Sequence, residues 1–285
     1  MLNIRNNFNL SEITWFKVGG LAENFARPST IEELVFLIKN FKPITILGNT
    51  SNVLISDSRI KGCVVKLGSA FGKIEQITET KFRIGAACLD LTLAKHMQNL
   101  GISGMEFLAT IPGTLGGNIC MNAGCFGSEI FDVLESVEIL QQDATIINIQ
   151  KNEIKHAYRS ANLPSNAIIL SAILNGVKST PEKIQNTINE FTKQRLESQP
   201  VNVRTGGSTF KNPNGYKAWQ LIQEVGAHKL KIGGAEVSEK HSNFLINAGG
   251  ATAKDIYTLG ELIHQKVLEK TGINLEWEIK KIGDF

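Results

Sequence analysis

Apolar positions recur along the chain in two rhythms, and where the rhythm breaks the residues become small and polar. Residues 14–20 read as a strand entering a turn. Ile31, Leu34, Val35 and Ile38 stand at helical spacing behind Thr30 and Glu33, which have capping-box separation. Short β runs at 44–47 and 53–55 flank a polar loop, Gly48-Asn49-Thr50-Ser51-Asn52, and a further strand is predicted at 63–67. That is a strand–helix–strand unit with a polar loop at a strand's carboxyl end, a favoured place for ligands. A strand is predicted at 82–85, followed by a helix capped by Asp90 and stopped by Gly101. β runs follow at 133–140, 146–149 and 168–174, with 156–160 read as a loop or helix start and 176–180 as a linker. Thr180-Pro181 then opens a polar helix to about residue 198. Residues 199–209 are irregular, and 217–225 form a short helix ended by Gly226. An amphipathic helix over 254–270 carries Ile256, Leu259, Ile263 and Val267 on one side, with Gly272 as its stop. Alternation over 275–280 predicts a strand with Glu276, Glu278 and Lys280 on one face.

The largest break in these rhythms is 108–127, which holds five glycines and Pro112 and no charged residue. Such a run has little side chain to pack, and glycine lets main-chain groups approach a neighbour without a Cβ in the way. Thr110, Thr114, Asn118 and Asn122 add short polar groups. A buried glycine-rich turn and a ligand-binding backbone are both compatible with this run. The 48–52 loop is likewise compatible with a plain turn or with an anion cradle built from successive main-chain donors. Together the two loops, about 60 residues apart, suggest a cofactor with a pyrophosphate and a fused ring. Neither is a Walker loop or the Gly-x-Gly-x-x-Gly fingerprint.

Composition narrows the classes. The chain has 285 residues, enough for a large core or two domains. Its 30 basic and 27 acidic residues leave a net charge of +3, too balanced to argue for nucleic acid. No apolar run reaches the ~18 residues of a membrane span, and the N-terminal residues lack a hydrophobic signal region, so a cytoplasmic protein is expected, with no membrane partner. Cys63, Cys88, Cys120 and Cys125 show no metal-ligand spacing; they read as reduced thiols, and no metal is expected.

A third cluster is Gly206-Gly-Ser-Thr-Phe-Lys-Asn-Pro213. Ser208 follows two glycines that leave its hydroxyl unobstructed, with Lys211 and Asn212 nearby, although a turn serine bonded to its own backbone has the same pattern. There is no Gly-x-Ser-x-Gly elbow of a hydrolase.

In order along the chain stand Gly48-x-x-Ser51-Asn52-x-Leu54, Ile111-Pro-Gly-x-x-Gly-Gly-Asn118, Met121-Asn-Ala-Gly124, Tyr158-Arg159-Ser160, Gly207-Ser-x-Phe-Lys-Asn-Pro213, Gly233-Gly-Ala-x-Val-Ser238, His241-x-Asn-Phe244 and Glu276-x-Glu278. This series resembles the UDP-N-acetylenolpyruvoylglucosamine reductases (UDP-N-acetylmuramate dehydrogenases, MurB) over about 14–282, in their shorter type. The resemblance implies an α+β fold. A vanillyl-alcohol-oxidase-type FAD-binding domain is expected over 1–175, with subdomains about 1–70 and 71–175. An α+β substrate-binding domain is expected over 176–285, whose last strand returns Glu278 to the site.

It also implies non-covalent FAD held by Gly48, Asn49, Thr50, Ser51 and Asn52 and by Thr110, Ile111, Pro112, Gly113, Gly117, Asn118, Asn122, Ala123 and Gly124. NADPH is the implied reductant and UDP-N-acetylenolpyruvoylglucosamine the substrate. Tyr158, Lys211, Asn212, His241 and Asn243 are the implied substrate contacts, and the chain is expected to be a monomer. By the same resemblance Arg159, Ser208 and Glu278 are catalytic. Their chemistry agrees: hydride addition to an enolpyruvyl group leaves charge that a guanidinium can steady, and a proton must follow. Lys211 is the expected helper that polarises Ser208. Three departures stand out. Thr50 replaces the usual second glycine and, being β-branched, is expected at negative φ with its hydroxyl toward the pyrophosphate or nearby backbone. Arg204 sits where small residues are usual. Residues 224–231 lack the usual Gly-Leu-Lys-Gly run, with Lys229 or Lys231 as stand-ins. Another flavoenzyme of the superfamily would explain the two loops but not Gly207–Pro213 or Glu278, and the rival from another class is an inactive nucleotide-binding protein, which would stay colourless after flavin reconstitution.

Overall fold

The computed structural model describes residues 2–285. The chain forms two compact units that interleave along the sequence. One contains the N-terminus to Arg5, Asn24–Asn49 and Gly62–Arg195; the other contains Asn6–Glu23, Thr50–Lys61 and Leu196–Phe285. This differs from the expected break at 175/176. The expected linker instead contributes Val177–Lys178, which pairs with Ile102–Ser103 inside the first unit. Most of the helix Pro181–Ser198 then belongs with that unit as well.

In the first unit, Thr30 Oγ1 accepts the Glu33 N–H and starts the helix Ile31–Asn40, which buries Leu34, Leu37 and Ile38. Strand Ile44–Leu47 then runs parallel to residues 63–66, giving the anticipated strand–helix–strand unit. A five-stranded antiparallel sheet follows, in the order Ile146–Gln150, Leu134–Leu140, Ile168–Asn175, Lys81–Gly85, Ile74–Gln76. The central strand Ile168–Asn175 is an almost unbroken apolar run because neighbours cover both faces. Helix Asp90–Leu100 ends at Gly101 with φ +67°. Its cap position is Leu89, so Asp90 does not cap it; Asp90 is the first helical residue and is wholly buried. Residues 156–161, read from sequence as a loop or helix start, are a small hairpin, His156–Ala157 with Ser160–Ala161.

In the second unit, four short antiparallel strands lie in the order Thr205–Ser208, Phe244–Asn247, Ala235–Val237, Lys231–Ile232. Helix Ala253–Thr271 has a full capping box, Thr252 with Asp255, and ends at Gly272. Its apolar stripe Ile256, Leu259, Ile263 and Val267 is fully buried, in one core with Leu221, Ile222 and Leu245. Residues 14–20 form no strand: Thr14 Oγ1 donates to Val18 O at 2.7 Å and closes a turn that buries Phe16 and Val18. Strands Ile4–Asn9 and Leu21–Ala26 stand on either side of it. The strand expected at 275–280 is displaced to Lys280–Ile282, parallel to Val53–Ile55. The alternation is genuine, with Leu275 and Ile279 buried. However, Glu278 and Ile279 both donate to Thr209 O, and two donors on one carbonyl break a regular ladder.

Candidate active site

In the first unit the two polar loops meet. Asn49 Nδ2 donates to Pro112 O at 2.9 Å, which fastens the 48–52 turn to the glycine-rich stretch. A Cβ on Gly48 would press on Thr114 Oγ1 at 2.7 Å, whereas one on Gly117 would meet nothing nearer than 3.6 Å, so glycine leaves that face open. Leu115 N and Gly116 N donate to Cys88 O and Ala86 O, pinning the stretch to the turn that follows strand Lys81–Gly85. The short helix Leu115–Met121 closes with Asn122 at φ +41°. The Asn118 side chain is buried, and its Nδ2 has no hydrogen-bond partner. An open glycine face beside an unspent amide donor fits a polar, anionic group laid along main chain. That is the donor set a dinucleotide such as FAD needs.

Several of the named loop residues have other work. Asn122 spends its amide on the fold, with Nδ2 donating to Ala157 O and Oδ1 accepting from Phe131 N, and it holds a left-handed conformation that asparagine tolerates. Thr110 Oγ1 donates back to Phe107 O. Ala123 N donates to Asn118 O. Gly124 is glycine because a Cβ would overlap Ser128 O in its hairpin. These positions shape the loop through its backbone; Ile111, Gly113 and Gly117 are the main-chain surface that remains.

Arg159 lies against this stretch. Nη2 donates to Gly124 O at 2.7 Å, and the guanidinium stacks over the exposed Tyr158 ring at 4.9 Å. Arg159 has φ +56°, a conformation disfavoured for any residue with a Cβ and held by the turn it occupies.

In the second unit, three segments distant in sequence are laced together. Glu278 N donates to Thr209 O at 2.8 Å, Lys211 N to Glu276 O at 2.8 Å, and Lys280 N to Asn52 O at 3.0 Å. Asn52 Nδ2 also donates to Glu278 O. Gly207, at φ +78°, would carry its Cβ 3.9 Å from Ser51 O. Ser51, Asn52, Ser208 and Glu278 are thereby gathered, and Ser208 and Glu278 are both half-buried. Gly206 is required because a Cβ there would lie 2.5 Å from the Phe16 ring.

Three expectations are corrected here, for Thr50, Lys211 and Asn243. Thr50 has φ +61°, not a negative value. The turn takes the left-handed conformation that glycine would adopt without strain, and the buried hydroxyl holds it by donating to Ile13 O at 2.7 Å. Lys211 does not assist Ser208; its ammonium pairs with Glu276 at 3.2 Å. Asn212 serves the fold, with Oδ1 accepting from Ala218 N at the start of helix Ala218–Glu224. Asn243 is buried with both amide ends bonded to the Phe210 main chain. His241 sits between Trp219 and Phe244, and burial lowers its pKa, which favours the neutral ring. Among the described residues no cluster of ligating side chains is placed to hold a metal.

Residues 199–282 match the family of UDP-N-acetylenolpyruvoylglucosamine reductase C-terminal domains, and 22–150 match the FAD binding domain family. A UDP-N-acetylenolpyruvoylglucosamine reductase of Rickettsia massiliae is 47% identical over 98% of this chain and 95% of its own length. The chain belongs to this reductase family. The corresponding protein of Rickettsia canadensis is 45% identical over 99% of this chain and 96% of its own. The solved reductase (MurB) of Thermus caldophilus superposes with a TM-score of 0.86 at 31% identity, covering 99% of each chain. Family membership carries an FAD-dependent oxidoreductase chemistry, the reduction of UDP-N-acetylenolpyruvoylglucosamine, and with it a place in peptidoglycan synthesis. The α+β architecture and the FAD-binding part agree with it. Among the described residues no helix is long and apolar enough to cross a membrane.

Proposed function

We propose that the chain converts the enolpyruvyl ether of UDP-N-acetylglucosamine to the lactyl ether of UDP-N-acetylmuramate in a ping-pong cycle with NADPH as reductant. When bound, FAD supplies hydride transfer, from NADPH to N5 and from N5 to substrate C3. The chain's own residues manage the charge and the proton. Hydride at C3 places negative charge at C2 and in the adjoining carboxylate. The Arg159 guanidinium, oriented by Gly124 O and Tyr158, pairs with that carboxylate. Ser208 gives its hydroxyl proton to C2, and Glu278 steadies the developing enolate. Tyr158, Lys211, Asn212 and His241 are the remaining candidate substrate contacts.

One observation carries this reading. Glu278 N donates to the carbonyl of Thr209, the residue after Ser208, so the segments that carry the acid and the hydroxyl, 70 positions apart in sequence, are bonded to each other in one unit. A surface strand would not need that link. FAD is held without a covalent bond: no histidine lies in 48–62, and burial raises the pKa of the nearby Cys125 thiol, which makes it a poor nucleophile. The test is the visible spectrum of the purified protein. The flavin bands should bleach with NADPH and return on adding the enolpyruvyl substrate without oxygen. Bands that return only with oxygen would point to an oxidase instead.

A further inference from the structure

Beneath the glycine-rich stretch lies a buried polar pair that the proposed chemistry does not use. Asp90 is fully buried, and neither carboxyl oxygen has a hydrogen-bond partner. Asn118 is 4% exposed, and its Nδ2 lacks one too. The two side chains converge under the same residue: a methyl on Gly113 would overlap Asp90 Oδ2 and lie 2.7 Å from Asn118 Oδ1. Asp90 N also donates to Gly113 O at 3.3 Å. Three orphaned polar atoms within one small volume ask for a common explanation. A carboxylate can only accept, so it offers nothing to the amide oxygen beside it. A neutral carboxyl can donate its O–H to that oxygen, and the amide hydrogens stay available.

We propose that Asp90 is a positioning residue for the flavin loop, its neutral carboxyl donating to the Asn118 amide oxygen beneath Gly113, so that the amide hydrogens and the Gly113 backbone are set for FAD. This rests on the assignment of 110–118 to FAD. The surroundings agree. Burial pushes the Asp90 pKa to about 7, and no cation acts on it. The other titratable groups that feel Asp90 are the Cys88 and Cys125 thiols, both raised by burial and so uncharged near neutrality. The sign follows. An acid whose folded pKa exceeds its unfolded value of 3.8 keeps its proton in the fold while the unfolded chain has lost it. Folded stability therefore declines as pH rises from about 4 to about 7 and then levels. A bound FAD that excludes more water favours the neutral acid further, so FAD binding weakens above the flavin-free pKa by up to tenfold per pH unit.

The experiment measures FAD released from the holoenzyme on dilution, by flavin fluorescence, at pH 6 and pH 8.5. Wild type should release at least about tenfold more readily at pH 8.5. Asp90→Asn, which can pair with the Asn118 amide but cannot ionise, should hold FAD at both pH values. Asp90→Leu should release FAD already at pH 6. A flat wild-type profile overturns the proposal, as does an Asp90→Asn variant that follows the wild-type rise or an Asp90→Leu variant as tight as wild type. Thermal unfolding separates this from the FAD assignment. The gain of Asp90→Asn over wild type should grow from pH 5 to pH 8 whether or not flavin is bound. A gain that is constant with pH removes the pair, whereas protein that never retains flavin but shows the growing gain removes only the FAD assignment of the loop.

Discussion

Thr50 carries two opposed energies. A β-branched residue at φ +61° costs about 1–3 kcal/mol, and a buried hydroxyl bonded to Ile13 O returns about 1 kcal/mol. Thr50→Gly removes both, so the unfolding free energy should shift by less than about 2 kcal/mol, with FAD retained. Loss of most of the flavin in that variant would show that the threonine side chain is itself a ligand. Cysteine chemistry can be checked at the same scale. Burial pushes the Cys63 and Cys88 thiols to about 11, so neither offers a thiolate near neutrality. The flavin should leave the protein band in a denaturing gel; fluorescence that stays with the band contradicts non-covalent attachment. Residue types at the site were legible in the sequence because glycine, serine and arginine at fixed spacing carry a pattern. Their conformations were not. Nothing in the string shows that Thr50 must be left-handed, that Asn243 spends its amide on Phe210, or that Asp90 is buried beside Asn118.

Among the elements, helix Ala253–Thr271 shows how much local pattern decides. Its stripe and stop were visible in the sequence, and its bounds fall within one residue of expectation, while the capping box of Thr252 with Asp255 was not anticipated. What the pattern left out was Gly260, which reads as a weak point in a helix. It is needed because the Trp277 ring lies where a Cβ would be, while Trp277 Nε1 donates to Glu261 Oε1 at 2.7 Å. Gly260→Ala gains helix propensity of about 1 kcal/mol and loses more to overpacking, about 1–3 kcal/mol. The variant should melt below wild type; an unchanged or raised melting temperature would mean that Trp277 moves aside freely. The displaced 275–280 strand has the opposite lesson. Alternation located its buried side, but the register depends on Thr209 accepting two donors, a contact across about 70 residues that no local window contains.

At the scale of the whole molecule, the two units are interleaved because the chain leaves the first at Arg5 and Asn49 and returns at Asn24 and Gly62. The glycine-bearing segment expected as the single boundary contributes a strand inside the first unit. The crossing at 49/50 puts Ser51 and Asn52 in the unit that holds Ser208 and Glu278. We propose that this gathering serves to deliver a proton. Arg159→Ala and Glu278→Ala should slow reoxidation by the enolpyruvyl substrate and leave folding intact, with Glu278→Gln separating a proton-donating acid from a hydrogen-bond donor. The most direct measurement is stopped-flow absorbance of the flavin in Ser208→Ala, in two stages. Bleaching by NADPH should proceed near the wild-type rate, because no proton reaches substrate C2 in that stage. Reoxidation by the enolpyruvyl substrate should slow by about 10²–10⁴, with Ser208→Cys retaining more of the rate because it keeps a transferable proton. Reoxidation of Ser208→Ala at the wild-type rate, or equal slowing of both stages, would contradict the assignment of Ser208 as the proton donor.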